Sequence, residues 1–176
     1  MNRLFDLIAV GCVAVVVLLP KASVDARPAL SGDPADVNRV AMLEDALARE
    51  PNNEANAVDL AELYLRLEHP DWALIALAPF AAKDASGRTS LVRATAHAER
   101  LEAAQALSAI KAGQSACESH PCAPLVVARL SVIGAPMQAL VDEHVDPRVE
   151  PQRAKDIVGK ILHATRPNVI ATPPEK

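Results

Sequence analysis

Two cysteines and a histidine lie close together in the segment "QSACESHPCAPL" and are the side chains best suited to chemistry. Cys117 and Cys122 are separated by four residues, one of which is His120. A zinc site takes three or four protein ligands in tetrahedral placement, and this segment supplies at most three. A thioredoxin-like redox pair has only two residues between its cysteines. Metal binding, redox activity and a structural disulfide are therefore the three alternatives.

The N-terminal sequence predicts the compartment, which bears on this choice. Arg3 precedes an uninterrupted apolar run of 13 residues, 7–19. As a helix this run spans roughly 20 Å, less than the about 30 Å hydrocarbon core, and its length is typical of a signal peptide. Small residues at Val24 and Ala26 predict cleavage between Ala26 and Arg27. We expect an exported, periplasmic or cell-envelope protein; the alternative is an uncleaved, single-pass membrane anchor.

Export favours the disulfide. Cysteines that lie close together usually pair in an oxidising compartment, and removal of the signal peptide takes away the third cysteine, Cys12. A bridge between Cys117 and Cys122 closes a short loop and contributes about 2 kcal/mol by loop entropy. It would join the end of one helix to the start of the next. Free thiols, or a small metal-binding or thiol-redox protein that uses Cys117, His120 and Cys122, remain the alternatives.

Other catalytic or cofactor motifs are not recognisable in the sequence. The six glycines are scattered and form no phosphate-binding loop, and neither GxSxG nor HExxH occurs. The acidic segment "VDEHVD" contains Asp142 and Asp146, which could share a helix face and bind a hard cation. We interpret it instead as a solvated helix end. The sequence therefore predicts no enzyme activity, no cofactor and no metal.

Composition favours a helical fold. Hydrophobic residues make up 51% of the 176 residues but aromatic residues only 2%, so the core must be built from Ala, Leu and Val. Ala and Leu are strong helix formers. The formal net charge is −4 and the basic residues are dispersed, which disfavours nucleic acid as a partner because phosphate binding needs clustered positive charge.

Helical periodicity divides the chain into elements. Residues 27–35 have linker composition, and Asp33 followed by Pro34 predicts the start of the first helix. Apolar residues at helical spacing then predict a hairpin of two helices, separated by "EHPD". Further on, Pro136 should kink or split an apolar helix, and a clear amphipathic helix covers residues 154–162. Segment 166–176 is expected to be a disordered tail.

This hairpin resembles a tetratricopeptide repeat. When Glu54 begins the repeat, the small and apolar motif positions fall on Leu60, Ala61, Tyr64 and Ala73. The sequence departs from the motif at Ala57, where a large aromatic residue is usual, and at Ala85, where proline is usual. A second, degenerate copy follows if Ala104 is aligned with Ala73, an offset of 31 residues, near the family period of about 34.

The resemblance implies a fold and a function. We expect an all-α domain over residues 36–165: a short right-handed array of tetratricopeptide-like hairpins with capping N-terminal and C-terminal helices. Such arrays generally bind a protein or peptide on their concave face and do not catalyse. The concave residues in this register are Val58, Glu62, Leu65, Arg66, Arg93 and His97. Contact with a membrane is expected only through an uncleaved N-terminal segment.

Overall fold

The computed structural model describes residue 30 and residues 32–81 and 86–164. The predicted signal segment, the Ala26–Arg27 cleavage site and the predicted tail 166–176 lie outside the described residues. All of the helices belong to the compact unit that begins at Gly32.

The described chain is all-α, as predicted, and contains no strand. Seven α-helices follow one another within the described ranges, and a 3₁₀ turn, Ala78–Phe80, extends the third. The helices are α1 Pro34–Arg49, α2 Glu54–Arg66, α3 Pro70–Leu77, α4 Arg88–Glu99, α5 Ala103–Ser119, α6 Pro124–Asp142 and α7 Pro151–Ala164.

Local sequence sets where the first helices begin. The Asp33 carboxylate accepts a hydrogen bond from the Ala35 amide at 2.9 Å, with Pro34 at the first helical position. Asn53 caps α2 in the same way, since its side chain accepts from the Asn56 amide at 3.1 Å. Both caps satisfy backbone donors that the first helical turn leaves free. The predicted start of α1 is confirmed.

Consecutive helices pair as hairpins, α2 with α3, α4 with α5 and α6 with α7. Two positions after the last residue of the first helix, each pair has a residue with left-handed backbone: Glu68 (φ 62°), Leu101 (φ 60°) and His144 (φ 53°). After α2, the Glu68 amide donates to Leu65 O and the His69 amide to Tyr64 O, which is a Schellman arrangement. The same pair of bonds closes α4 and α6. Glu68 and Leu101 lie 33 positions apart.

The first hairpin has a core of small and apolar side chains. Ala73 is fully buried and Tyr64 is only 6% exposed, as predicted for a close helix pair. The Tyr64 ring meets Trp72 edge-on with centroids 5.4 Å apart. Its hydroxyl donates to Glu44 on α1 at 2.6 Å, so one side chain ties the first helix to the hairpin.

The second hairpin corrects the predicted alignment. Ala104, which was aligned with Ala73, is exposed, whereas Ala106 is fully buried. An offset of 33, the spacing of the two left-handed residues, instead matches buried positions of α2 and α3 with buried positions of α4 and α5. The matched pairs are Ala57 with Ser90, Ala61 with Ala94, Ala73 with Ala106, and Leu77 with Ile110. Two residues turn a helix by about 200°, so the offset of 31 placed the wrong face inward.

Pro136 was predicted to kink or split the apolar helix. The split is wrong, because α6 runs unbroken from Pro124 to Asp142 with Pro136 inside it. Proline removes one amide donor, the partner of the carbonyl four residues earlier. That carbonyl belongs to Val132, which is 62% exposed, so water can satisfy it. The helix therefore continues through Pro136.

We predict that Ala73→Leu destabilises the protein by about 1–3 kcal/mol, because the buried site has no room for a larger side chain. Ala104→Leu is the matched control, since Ala104 lies in the first turn of the second helix of the next hairpin but is exposed. Urea denaturation followed by circular dichroism measures both. Equal stability of the two variants would contradict the close packing of α2 and α3.

Candidate functional site

A groove of about 700 Å³ lies along the first helices of the hairpins. Its walls come from α1, α2, α4 and α6, and α4 contacts both α2 and α6 directly. The apolar lining residues are Leu63, Leu65, Leu91, Val92, Val132 and Ile133. The charged ones are Arg39, Asp59, Glu62, Arg66, Arg88 and Arg129. The groove thus combines an apolar lining with a surplus of arginine.

Three of the six predicted concave residues line this groove: Glu62, Leu65 and Arg66. Val58 is only 3% exposed and belongs to the core. Arg93 and His97 are not among the lining residues. Through the offset of 31, Arg93 and His97 are the counterparts of Glu62 and Arg66. At an offset of 33 the counterparts are Thr95 and Glu99 instead. Thr95 lines the groove and Glu99 does not, so the corrected register yields a groove residue in place of Arg93 but not in place of His97.

Arg88 is the most heavily bonded charged side chain in the groove. Its guanidinium donates to both carboxylate oxygens of Glu62, at 3.0 and 2.8 Å, and to Asp59 at 2.8 Å. The hydrogen bond to Glu62 is the main reason why the pKa of Arg88 is raised above its ordinary value. Two parallel bonds to one carboxylate fix direction as well as distance. Arg88 therefore holds the start of α4 against α2.

The other arginines of the groove are less engaged. Arg66 pairs with Asp36 at 3.2 Å, and the Arg66 side chain is 57% exposed. Arg39 and Arg129 are exposed and form no ion pair with any described residue. Sequence reasoning missed both. They lie on α1 and α6, outside the hairpins that carried the repeat pattern.

Cys117 and Cys122 form a disulfide, as predicted, with Cα atoms 5.1 Å apart. The bridge joins the last turn of α5 to the residues that precede α6. His120 is exposed and ends α5. Because both sulfurs are bonded to each other, they are not thiolate ligands in this structure. Among the described residues, no group of three His, Cys, Asp or Glu side chains is placed to hold a metal ion.

The disulfide packs against the residue that precedes Arg88. Gly87 has left-handed backbone (φ 69°), and a Cβ there would lie 2.7 Å from Cys117 Sγ and 3.1 Å from Cys122 Sγ. Only glycine allows this approach without displacing the bridge. The disulfide therefore supports the start of α4, from which Arg88 reaches the groove.

The acidic segment after α6 is held by neighbouring side chains. Asp142 accepts a hydrogen bond from Gln138 at 2.6 Å, Glu143 lies 3.7 Å from Arg153, and Asp146 accepts from the Arg148 amide at 2.9 Å. The hydrogen bond from the Arg148 backbone is the main reason why the pKa of Asp146 is lowered.

A separate polar cluster surrounds the turn between α4 and α5. Glu102, whose side chain is 12% exposed, contacts His97 Nδ1 at 2.8 Å and accepts from Arg100 at 2.9 Å. Arg100 also pairs with Asp71 at the start of α3. The hydrogen bond with His97 is the main cause of a lowered pKa at Glu102, and Arg100 adds to it. The cluster thus links two hairpins.

Comparison with known proteins found no family model, no curated protein and no solved structure that matches this chain. Within the described part of the chain, α6 is the one helix whose length and apolar composition would allow it to cross a membrane, and 22% of that stretch is buried.

We predict that Glu102→Gln lowers stability at neutral pH and that the difference from the parent protein shrinks in acid. The folded-state pKa of Glu102 is depressed, so its carboxylate stabilises the fold fully above the unfolded value of about 4.3. That stability is lost as the pH falls through the lower folded pKa. Thermal melts between neutral and acidic pH measure the effect. Glu118→Gln, at an exposed position of α5, is the control, and a matching pH dependence there would refute the prediction.

We predict that removing the disulfide costs about 2 kcal/mol of unfolding free energy, the loop-entropy value for six residues. Urea denaturation with and without reductant measures it. The double variant Cys117→Ser/Cys122→Ser should have the same free energy of unfolding as the reduced protein, and added reductant should not change it. If peptide mapping of protein purified without reductant finds both thiols free, the bridge does not form.

Proposed function

We propose that this protein is an exported, tetratricopeptide-repeat-like interaction module or scaffold of the cell envelope, and that it binds a protein or peptide partner in its groove without catalysis. In this proposal α1 and α7 cap the array of hairpins. Single-pass anchoring through the N-terminal segment is the alternative for its location.

The groove carries the proposal. It is lined by the first helices of three successive hairpins together with α1, and stacking repeats generally create extended binding surfaces of this kind. The shared left-handed termini 33 residues apart and the matched burial at that spacing support a repeat architecture. The third hairpin does not keep this spacing, since His144 follows Leu101 by 43 residues.

Two further observations support an exported binding protein. The disulfide is of a kind that persists in oxidising compartments and is rare in the cytosol, and it braces the groove wall through Gly87. The two carboxylates and the one hydroxyl of the groove are already hydrogen-bonded: Asp59 and Glu62 accept from Arg88, and the Thr95 hydroxyl donates to Leu91 O at 3.0 Å. Catalysis would instead need a nucleophile paired with a base. Nucleic acid and cofactors have no part in the proposed function.

Site-specific photocrosslinking in the native host tests the proposal. A benzophenone amino acid replaces Val132, which lines the groove and is 62% exposed. The control position is Ile75, which is 71% exposed on α3 and does not line the groove. We expect one discrete protein adduct from position 132 and none from position 75. No adduct at position 132, or the same adduct from both positions, would refute the proposal.

A further inference from the structure

The hydrogen-bonding groups of the groove restrict what can bind there. Among the described residues that line it, Thr95 is the one uncharged polar side chain; its hydroxyl donates to Leu91 O, and its oxygen can still accept a hydrogen bond. The two lining carboxylates, Asp59 and Glu62, are already bonded to Arg88. The groove walls are helices, whose own backbone groups are bonded internally. Acceptors for an incoming backbone are therefore few, and they are confined to α2 and α4.

An extended peptide fits these walls poorly. Its backbone amides need acceptors, which are usually a sheet edge or amide side chains, and buried donors without a partner carry a desolvation penalty. A helix satisfies its own backbone amides and can present apolar side chains alone. The exposed parts of Leu65, Val132 and Ile133 give such side chains an apolar surface. The apolar face of a helix therefore matches the groove better than an extended peptide does.

Charge indicates what flanks that face. Arg39 and Arg129 are exposed, line the groove and have no carboxylate partner among the described residues. Arg66 is more than half exposed and can bind an additional carboxylate beside Asp36. These cations stand out in a chain with formal net charge −4. Arginine is suited to carboxylates because its planar fork donates two parallel hydrogen bonds.

We infer that the groove receives an amphipathic helix of a partner protein, with its apolar face against α2, α4 and α6 and with Asp or Glu residues flanking that face toward Arg39 and Arg129. The inference rests on the proposed function and names the chemistry of its partner.

Three designed peptides of equal length test this inference. Their binding to the full chain, in the form that the native host produces, is measured by fluorescence anisotropy. The first is an amphipathic helix with Leu on one face and Glu beside it. The second replaces every Glu with Lys, and the third scrambles the first so that no apolar face remains. We expect only the first to bind, and to bind more weakly as salt is raised.

The double variant Arg39→Glu/Arg129→Glu should weaken binding of the first peptide by about tenfold or more. Neither arginine pairs with a described residue, so the fold should be retained, and circular dichroism checks this. The control is Arg93→Glu, which lies on α4 outside the groove lining and should leave binding unchanged.

Several results would overturn the inference. They are equal binding of the Lys peptide or the scrambled peptide, no binding of the first peptide, or the same loss for Arg93→Glu as for the double variant. Sedimentation velocity tests self-association. If the parent protein is a dimer and the double variant is a monomer, the occupant of the groove is a second copy of this chain. If position 132 crosslinks a native partner but the acidic helix does not bind, the partner chemistry is wrong and the proposed function stands. If no native adduct forms, the proposed function itself fails.

Discussion

Close approach of helices through small side chains is the constraint on which the structure depends. With aromatic residues at only 2% of the chain, the core is built around alanines that are fully buried: Ala57, Ala61, Ala73, Ala94, Ala96 and Ala106. Glycine brings later helices equally close. A Cβ at Gly113 on α5 would lie 2.9 Å from Ser90 Cβ on α4 and 3.1 Å from Leu130 on α6. Interiors packed this tightly tolerate little added volume.

A core of small side chains buries only a modest apolar area for each helix. Specific polar contacts are therefore more important in fixing the relative position of the hairpins. Thr89, fully buried at the start of α4, donates to Glu54 at the start of α2 at 2.7 Å. One residue earlier, Arg88 binds Glu62 and Asp59. The first contact places the beginnings of α2 and α4 side by side, and the second ties the start of α4 to residues further along α2. The second contact also shapes the groove wall, because Arg88, Glu62 and Asp59 all line it.

Much of the helical pattern could be predicted from local sequence. Asp33 with Pro34 marks the start of α1, apolar spacing marks α2 and α3, and the proximity of Cys117 and Cys122 indicates the bridge. The register of the second hairpin could not be predicted in this way, because an alanine-rich sequence offers several small residues that align equally well. The left-handed residues that would have fixed it are Glu68 and Leu101, and neither is the glycine by which such a helix end is usually recognised.

The groove residues were predictable only where the repeat pattern reached. Glu62, Leu65 and Arg66 were found from the first hairpin, but Arg39 and Arg129 come from helices without a motif, and only the packing brings them to one groove. Arg88 could not be assigned from sequence either, since its role depends on carboxylates 26 and 29 positions earlier. Contacts between residues so far apart in the chain are set by tertiary packing and leave no local pattern.

The disulfide and the groove are connected through one glycine, and this connection has a physical consequence for binding. Gly87 lies so close to the bridge that a side chain there would clash with the sulfurs, and its neighbour Arg88 donates hydrogen bonds to Glu62 on α2. The bridge also joins the end of α5 to the residues just before α6. Helix α6 in turn supplies Arg129, Val132 and Ile133 to the groove lining. The disulfide thus helps to position two walls of the groove relative to each other. Under the proposed function, such preorganisation would raise affinity, because less conformational freedom is lost on binding.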